Sequence, residues 1–240
     1  NKENNKTMYQ QYSPPKFNIL PPVCKNLLII NVIAFLATYV FRMRGIDLSD
    51  IFGLHFFASD NHYFWQYITY AFFHDNFSHL FFNLFAVWMF GYTLENIWGQ
   101  KKFIIFCLVS CLGAALAQQI TYYFMYSDLV NGVYSGVNIG NGITISTAEF
   151  LNNLNTIGAS GVVFGLLAAF GAMFPNSTIY LYFFIPLKTK WFVIGYIVLE
   201  LINGISTTSD GVAHFAHLGG AVAGLILLWI WKRQRDQYKY

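Results

Sequence analysis

The stretch "TIGASGVVFG", residues 156–165, places a serine among small residues just where an apolar run begins. Hydrocarbon offers a hydroxyl no partner, so Ser160 either bonds back to its own helix or belongs to a polar site. The residues after the serine decide how the run folds. Gly161 and Gly165 stand four apart, which bares one face of a helix and lets a second membrane helix come close, and Gly220 and Gly224 repeat the spacing. The whole chain agrees with a membrane setting. Of its 240 residues, 56% are hydrophobic, 20% aromatic and only 10% charged, against about 25% charged in an ordinary soluble domain.

A bilayer core is crossed by roughly 20 mostly apolar residues in a helix. Candidate spans lie near 26–41, 77–97, 102–125, 157–174, 190–205 and 212–231, and none has the two-residue alternation of a barrel strand. The expected fold is all-α, a polytopic bundle of six transmembrane helices over residues 26–231. Residues 1–25, with Pro14, Pro15, Pro21 and Pro22, read as a polar cytoplasmic tail with no signal peptide ahead of the first span, and 232–240 as a basic one. Cys24, Cys107 and Cys111 are odd in number, and the last two sit one turn apart in an apolar run, so no disulfide framework is expected. A net charge of +3 is too small to imply a nucleic-acid partner.

Where the positive charges fall sets the orientation. Lys2, Lys6, Lys16 and Lys25, then Lys101 and Lys102, Lys188 and Lys190, and finally Lys232, Arg233, Arg235 and Lys239 all fall on one side of a six-span chain, twelve of the fourteen. Only Arg42 and Arg44 fall on the other. Both termini are therefore expected inside, with residues 127–156, which hold no Lys or Arg, outside. Spans two, four and six then start on the outside, and each carries polar residues near its start: His79 and Asn83, Ser160, and His214 and His217. Each unpaired polar group would cost several kcal/mol in hydrocarbon, so the favoured arrangement gathers them around one another and water.

A serine beside a neutral imidazole is an activated nucleophile, and burial favours the neutral ring. Either His214 or His217 could serve by spacing. The acids within the spans are Glu95, near the inner end of the second, and Glu200, in the fifth; no buried Asp of a triad is evident, which makes a two-residue dyad the expectation. His79 and Asn83 share a helix face that Asp75 or Asn76 can cap, and both can donate to an oxyanion alongside the Ser160 backbone N–H.

The segments "HDNFSHLFFN" (74–83), "GASG" (158–161) and "AHLGGAVAG" (216–224) together resemble the rhomboid intramembrane serine proteases, which carry H-x4-H-x3-N, G-x-S-G and A-H-x-x-G in their second, fourth and sixth spans. The resemblance runs from about residue 24 to 232 and takes in "WQYITYAFFH", "ENIWG" and "FFIPLKTKWF". It implies Ser160 as nucleophile, His217 rather than His214 as base, and His79 and Asn83 as oxyanion donors. It further implies Phe164 as a ring against the imidazole, His74 as a loop support, and Gly158, Gly161, Gly220 and Gly224 as the small residues around them. Substrates would be single-span or other transmembrane proteins met within membrane lipid, without a cofactor or a catalytic metal, in the bacterial cell membrane of the six-helix form. Two departures stand out: the loop 127–156 is longer than in the simplest relatives, and Trp65-Gln66 replaces a Trp-Arg pair.

Other classes fit less of the sequence. A zinc site at His214 and His217 lacks an H-E-x-x-H, and paired membrane aspartates are missing. Haem ligation by His79 and His217 would give the purified protein a visible absorbance. A non-catalytic relative that binds transmembrane helices would ordinarily lack the Ser or the His. A transporter would show repeated halves.

Overall fold

The computed structural model describes residues 17–181, 184–205 and 213–237. The tail lysines Lys2, Lys6, Lys16 and Lys239, with Pro14 and Pro15, lie outside these residues, as does Val212, where the hydropathy pattern starts the sixth span. Among the described residues six helices have 14 residues or more: α1 (Pro22–Arg42), α2 (Phe77–Trp98), α3 (Gln100–Met125), α4 (Ser160–Met173), α5 (Thr189–Ile205) and α6 (His214–Gln237). The first three, and α6 over His214–Gln234, are long and apolar enough to cross a membrane, which bears out an all-α membrane bundle.

The differences in boundary have local causes. The first helix starts at Pro22 rather than near 26, because proline at a first helical position loses no bond and presets φ. Its leading amides are satisfied from elsewhere: Val23 N and Cys24 N donate to the two carboxylate oxygens of Glu95, on α2, at 2.9 and 2.7 Å. The fourth helix shortens to 14 residues because Gly158, at φ 126°, turns the chain just before Ser160. The sixth continues to Gln237, carrying Lys232 and Arg233 toward its C-terminal end, where the helix dipole favours cations.

Helix α4 is the hub. Ten of its 14 residues are buried, from Gly161 through Gly171, against α2, α3 and α6. Its contact with α6 runs glycine on glycine in parallel register: a side chain on Gly220 would meet the Gly161 carbonyl, and one on Gly224 would lie 3.3 Å from Gly165 Cα. The neighbouring α3–α6 contact is also close but antiparallel, with Gly113 against Ala223 and Gly219 against Ala117. Outward faces carry the exposed apolar side chains of a lipid-facing surface, among them Ile33, Leu36, Phe82, Leu116, Leu199 and Ile226. Cys24, Cys107 and Cys111 are free thiols inside the bundle.

The segment 127–156 is ordered into a hairpin, β2 (Gly136–Asn138) with β3 (Thr144–Ser146), and a short helix Thr147–Asn152. Two-residue strands β1 (Leu54–His55) and β4 (Asn155–Thr156) pair antiparallel, tying the stretch before α2 to the stretch before α4.

Candidate active site

Three helix beginnings converge. At the first, the Asn76 side chain accepts from His79 N at 2.9 Å and fixes the opening turn of α2, so of the two caps open to the sequence it is Asn76 that acts. This sets His79 in the first turn and Asn83 in the second, on one face. At the second, Gly158 N donates to Tyr70 O at 3.0 Å, and the left-handed backbone of Gly158 brings the chain against His79: a Cβ there would stand 2.7 Å from His79 Nε2 and 3.6 Å from Ser160 Oγ. Glycine is required on both counts. Ser160 follows as the first residue of α4, where backbone N–H groups have no acceptor within the helix. At the third, α6 opens with His214 and brings His217 one turn later.

Ser160 Oγ lies 2.7 Å from His217 Nε2. The imidazole stacks on Phe164 with ring centres 4.4 Å apart and planes within 6°, and Phe164 in turn leans on Tyr196 of α5. Of the polar residues expected to gather, Ser160 and His217 are in direct contact, and His79 reaches them across Gly158. Asn83 is buried, with its Nδ2 lacking any hydrogen-bond partner, a donor left unused in an environment where such atoms are costly.

His74 lies under the site. Its ring meets that of His79 edge to face at 4.9 Å, and Ala159 N points at its Nε2 at 3.5 Å. Burial, with the neighbouring His79 second, pushes the His74 imidazole down to about 3, so the ring accepts that amide as a neutral base.

Glu200 has no place at the site in the sequence pattern, yet the structure brings it there. From α5 it directs Oε2 at Nδ1 of His217 at 3.0 Å and at Nδ1 of His214 at 2.7 Å, and all three side chains are buried. A carboxylate therefore stands behind the imidazole, where the sequence pattern leads to an expectation of serine and histidine alone. A cue exists, since an ionisable residue inside a membrane helix is a functional candidate by default and the end of α5 returns to the level where α6 begins. Glu200, His214 and His217 are also the buried set, among the described residues, whose ligand atoms lie close enough to share an ion, within 4.8 Å of one another. Here both ring nitrogens touch the carboxylate oxygen directly.

With serine and imidazole in contact and the Asn83 donor unused, the comparison with known proteins is decisive for kinship. Residues 61–234 match the Rhomboid domain. The chain belongs to the rhomboid family. Among curated rhomboids it is 25% identical over 225 residues to Rhomboid-like protein 11, chloroplastic, of Arabidopsis thaliana, covering 85% of this chain and 63% of that one. It is 29% identical over 176 residues to Rhomboid protease AarA of Providencia stuartii, covering 68% and 54%. To Rhomboid protease GlpG of Yersinia pestis it is 23% identical over 230 residues, covering 93% and 68%. This rhomboid is a multi-pass membrane protein that spans about half the length of several relatives, from 39% to 63% of the first four.

Proposed function

We propose that this rhomboid is an intramembrane serine endopeptidase that cleaves transmembrane segments of other membrane proteins. The observation that carries the reading is the 2.7 Å contact between Ser160 Oγ and His217 Nε2. As Oγ attacks a peptide carbonyl carbon, its proton passes to Nε2, and the carbonyl oxygen becomes an oxyanion facing the Ser160 N–H, Asn83 Nδ2 and His79. Nε2–H then gives the proton to the departing amine as the C–N bond breaks, leaving an acyl-enzyme. Water, deprotonated by the same ring, releases the acid and restores Ser160.

Depth supports this use of the site. Fourteen residues of α4 rise about 21 Å, short of a hydrocarbon core of about 30 Å. A helix that short does not bring both its ends to the headgroups, and its start carries the polar cluster. With both termini inside by the distribution of Lys and Arg, that start opens to the external side, where water enters. The resemblance to the six-helix bacterial form favours the bacterial cell membrane. A helical substrate hides its carbonyls in internal bonds, so substrates are segments that unwind near their outer end. No cofactor and no nucleic acid enters this scheme, and lipid is its solvent.

The test is cleavage of a single-span protein in liposomes, with labelling of the nucleophile by a fluorophosphonate. Ser160→Ala removes both signals and His217→Ala removes turnover. Undiminished cleavage by Ser160→Ala defeats the proposal.

A further inference from the structure

Glu200 occupies an expensive position. An ionised carboxylate inside a membrane helix costs several kcal/mol unless hydrogen-bond donors meet it, and replacement by an apolar residue would remove that cost. Its surroundings are specific rather than diffuse. Two imidazoles, from successive turns of α6, aim Nδ1 at the same oxygen, at 2.7 and 3.0 Å, and Glu200 is only 5% exposed. The opposite nitrogen of one of those rings, His217 Nε2, is the atom that faces Ser160 Oγ.

We infer that Glu200 is a positioning residue that completes a Ser160–His217–Glu200 triad, with His214 as the clamp that holds its carboxylate. The inference rests on the protease reading above. A carboxylate accepting from Nδ1–H fixes the tautomer of His217, leaving the Nε2 lone pair for the serine proton. When that proton arrives, the ring becomes an imidazolium with Phe164 on its face and a negative charge at its Nδ1 edge, which stabilises it without taking its Nδ1 proton. Glu200 stays ionised throughout, so no proton beyond the one from Ser160, and later the one from water, changes hands.

His214 has a complementary part. A carboxylate with one neutral donor would be free to swing about its last torsion; a second donor from the preceding turn of α6 holds Oε2 in line with His217. The arrangement also explains why α5, otherwise thinly attached, has its buried polar atom at this level. One turn earlier Tyr196 lies against Phe164, so α5 steadies the imidazole through both its edge and its face.

The experiment compares Glu200→Gln, Glu200→Asp and His214→Gln with the wild type in liposomes. It reads kcat and KM on the single-span substrate, the rate of fluorophosphonate labelling and the thermal unfolding midpoint. Glutamine keeps the shape and an accepting oxygen but removes the charge. Its expected effect is a kcat lower by roughly 100-fold, KM within twofold, and labelling slowed in parallel. Aspartate restores the charge one methylene short and is expected to recover at least tenfold over glutamine. His214→Gln is expected to lower kcat by about tenfold, and it carries the test if the Glu200 variants do not fold. Wild-type kcat in Glu200→Gln, or a loss in KM alone, overturns the inference while leaving the protease reading intact. Cleavage by the wild type that a chelator abolishes and zinc restores also overturns it, because the three side chains would then be holding an ion. Absence of any Ser160-dependent cleavage or labelling in the wild type defeats the protease reading itself.

Discussion

Helices α4 and α5 are neighbours in sequence and opposites in surroundings. In α4, protein covers ten residues of 14; in α5, the buried residues of 17 are Thr189, Val193 and Glu200, and Ile194, Val198, Leu199 and Leu201 face outward. The first is held by backbone-to-backbone approach across glycines, the second by a few side chains. Packing in lipid gains little from burying apolar surface, so close approach and polar contacts decide what stays fixed. The site lies on the seam between them: the nucleophile stands on the fixed helix and the carboxylate on the loosely covered one.

Filling the glycine seam breaks the contrast most severely. Gly220→Leu drives a side chain into the Gly161 carbonyl, which cannot step aside. A loss of about 3 kcal/mol or more, with cleavage abolished, is expected in unfolding scans and activity assays.

Acid acts next, through the seat of α4. His74 is neutral in the native state down to about 3, whereas the unfolded ring takes up a proton near its ordinary value of 6.5. Its contribution to stability is therefore whole above pH 6.5 and is lost progressively as pH falls from there toward 3. Unfolding midpoints at about pH 7 and about pH 4.5, either side of the unfolded value, measure this, and His74→Gln should flatten the difference. A steeper acid loss in that variant would show that another group governs it.

The smallest effect belongs to the outer face of α5. Leu199→Ala is expected to change stability by less than about 0.5 kcal/mol and to leave kcat alone. A large loss would mean that α5 is packed against something on that face.

Much of this is legible in the sequence because its signals are local and periodic. Glycines four apart announce the α4–α6 seam, and polar residues at three span starts announce one shared site, since only convergence relieves their cost. Asn76 as the cap is one of two choices that only the backbone separates. Glu200 is visible as an intramembrane acid, yet its partners lie 14 and 17 residues away on another helix, a separation no periodic rule covers. The order in 127–156 escapes for a related reason. Its pairing of Leu54 with Thr156 and His55 with Asn155 joins segments about a hundred residues apart, and a loop rich in Gly and Asn has no apolar pattern to betray it.

The contact of Glu95 with Val23 N and Cys24 N bears on how the protein is made. The ribosome delivers α1 before α2, with its leading amides bare, and the group that satisfies them arrives only when the second crossing has returned to the same side. The start of α1 is therefore completed only together with the end of α2, and an arrest between them would leave α1 unfinished at its start.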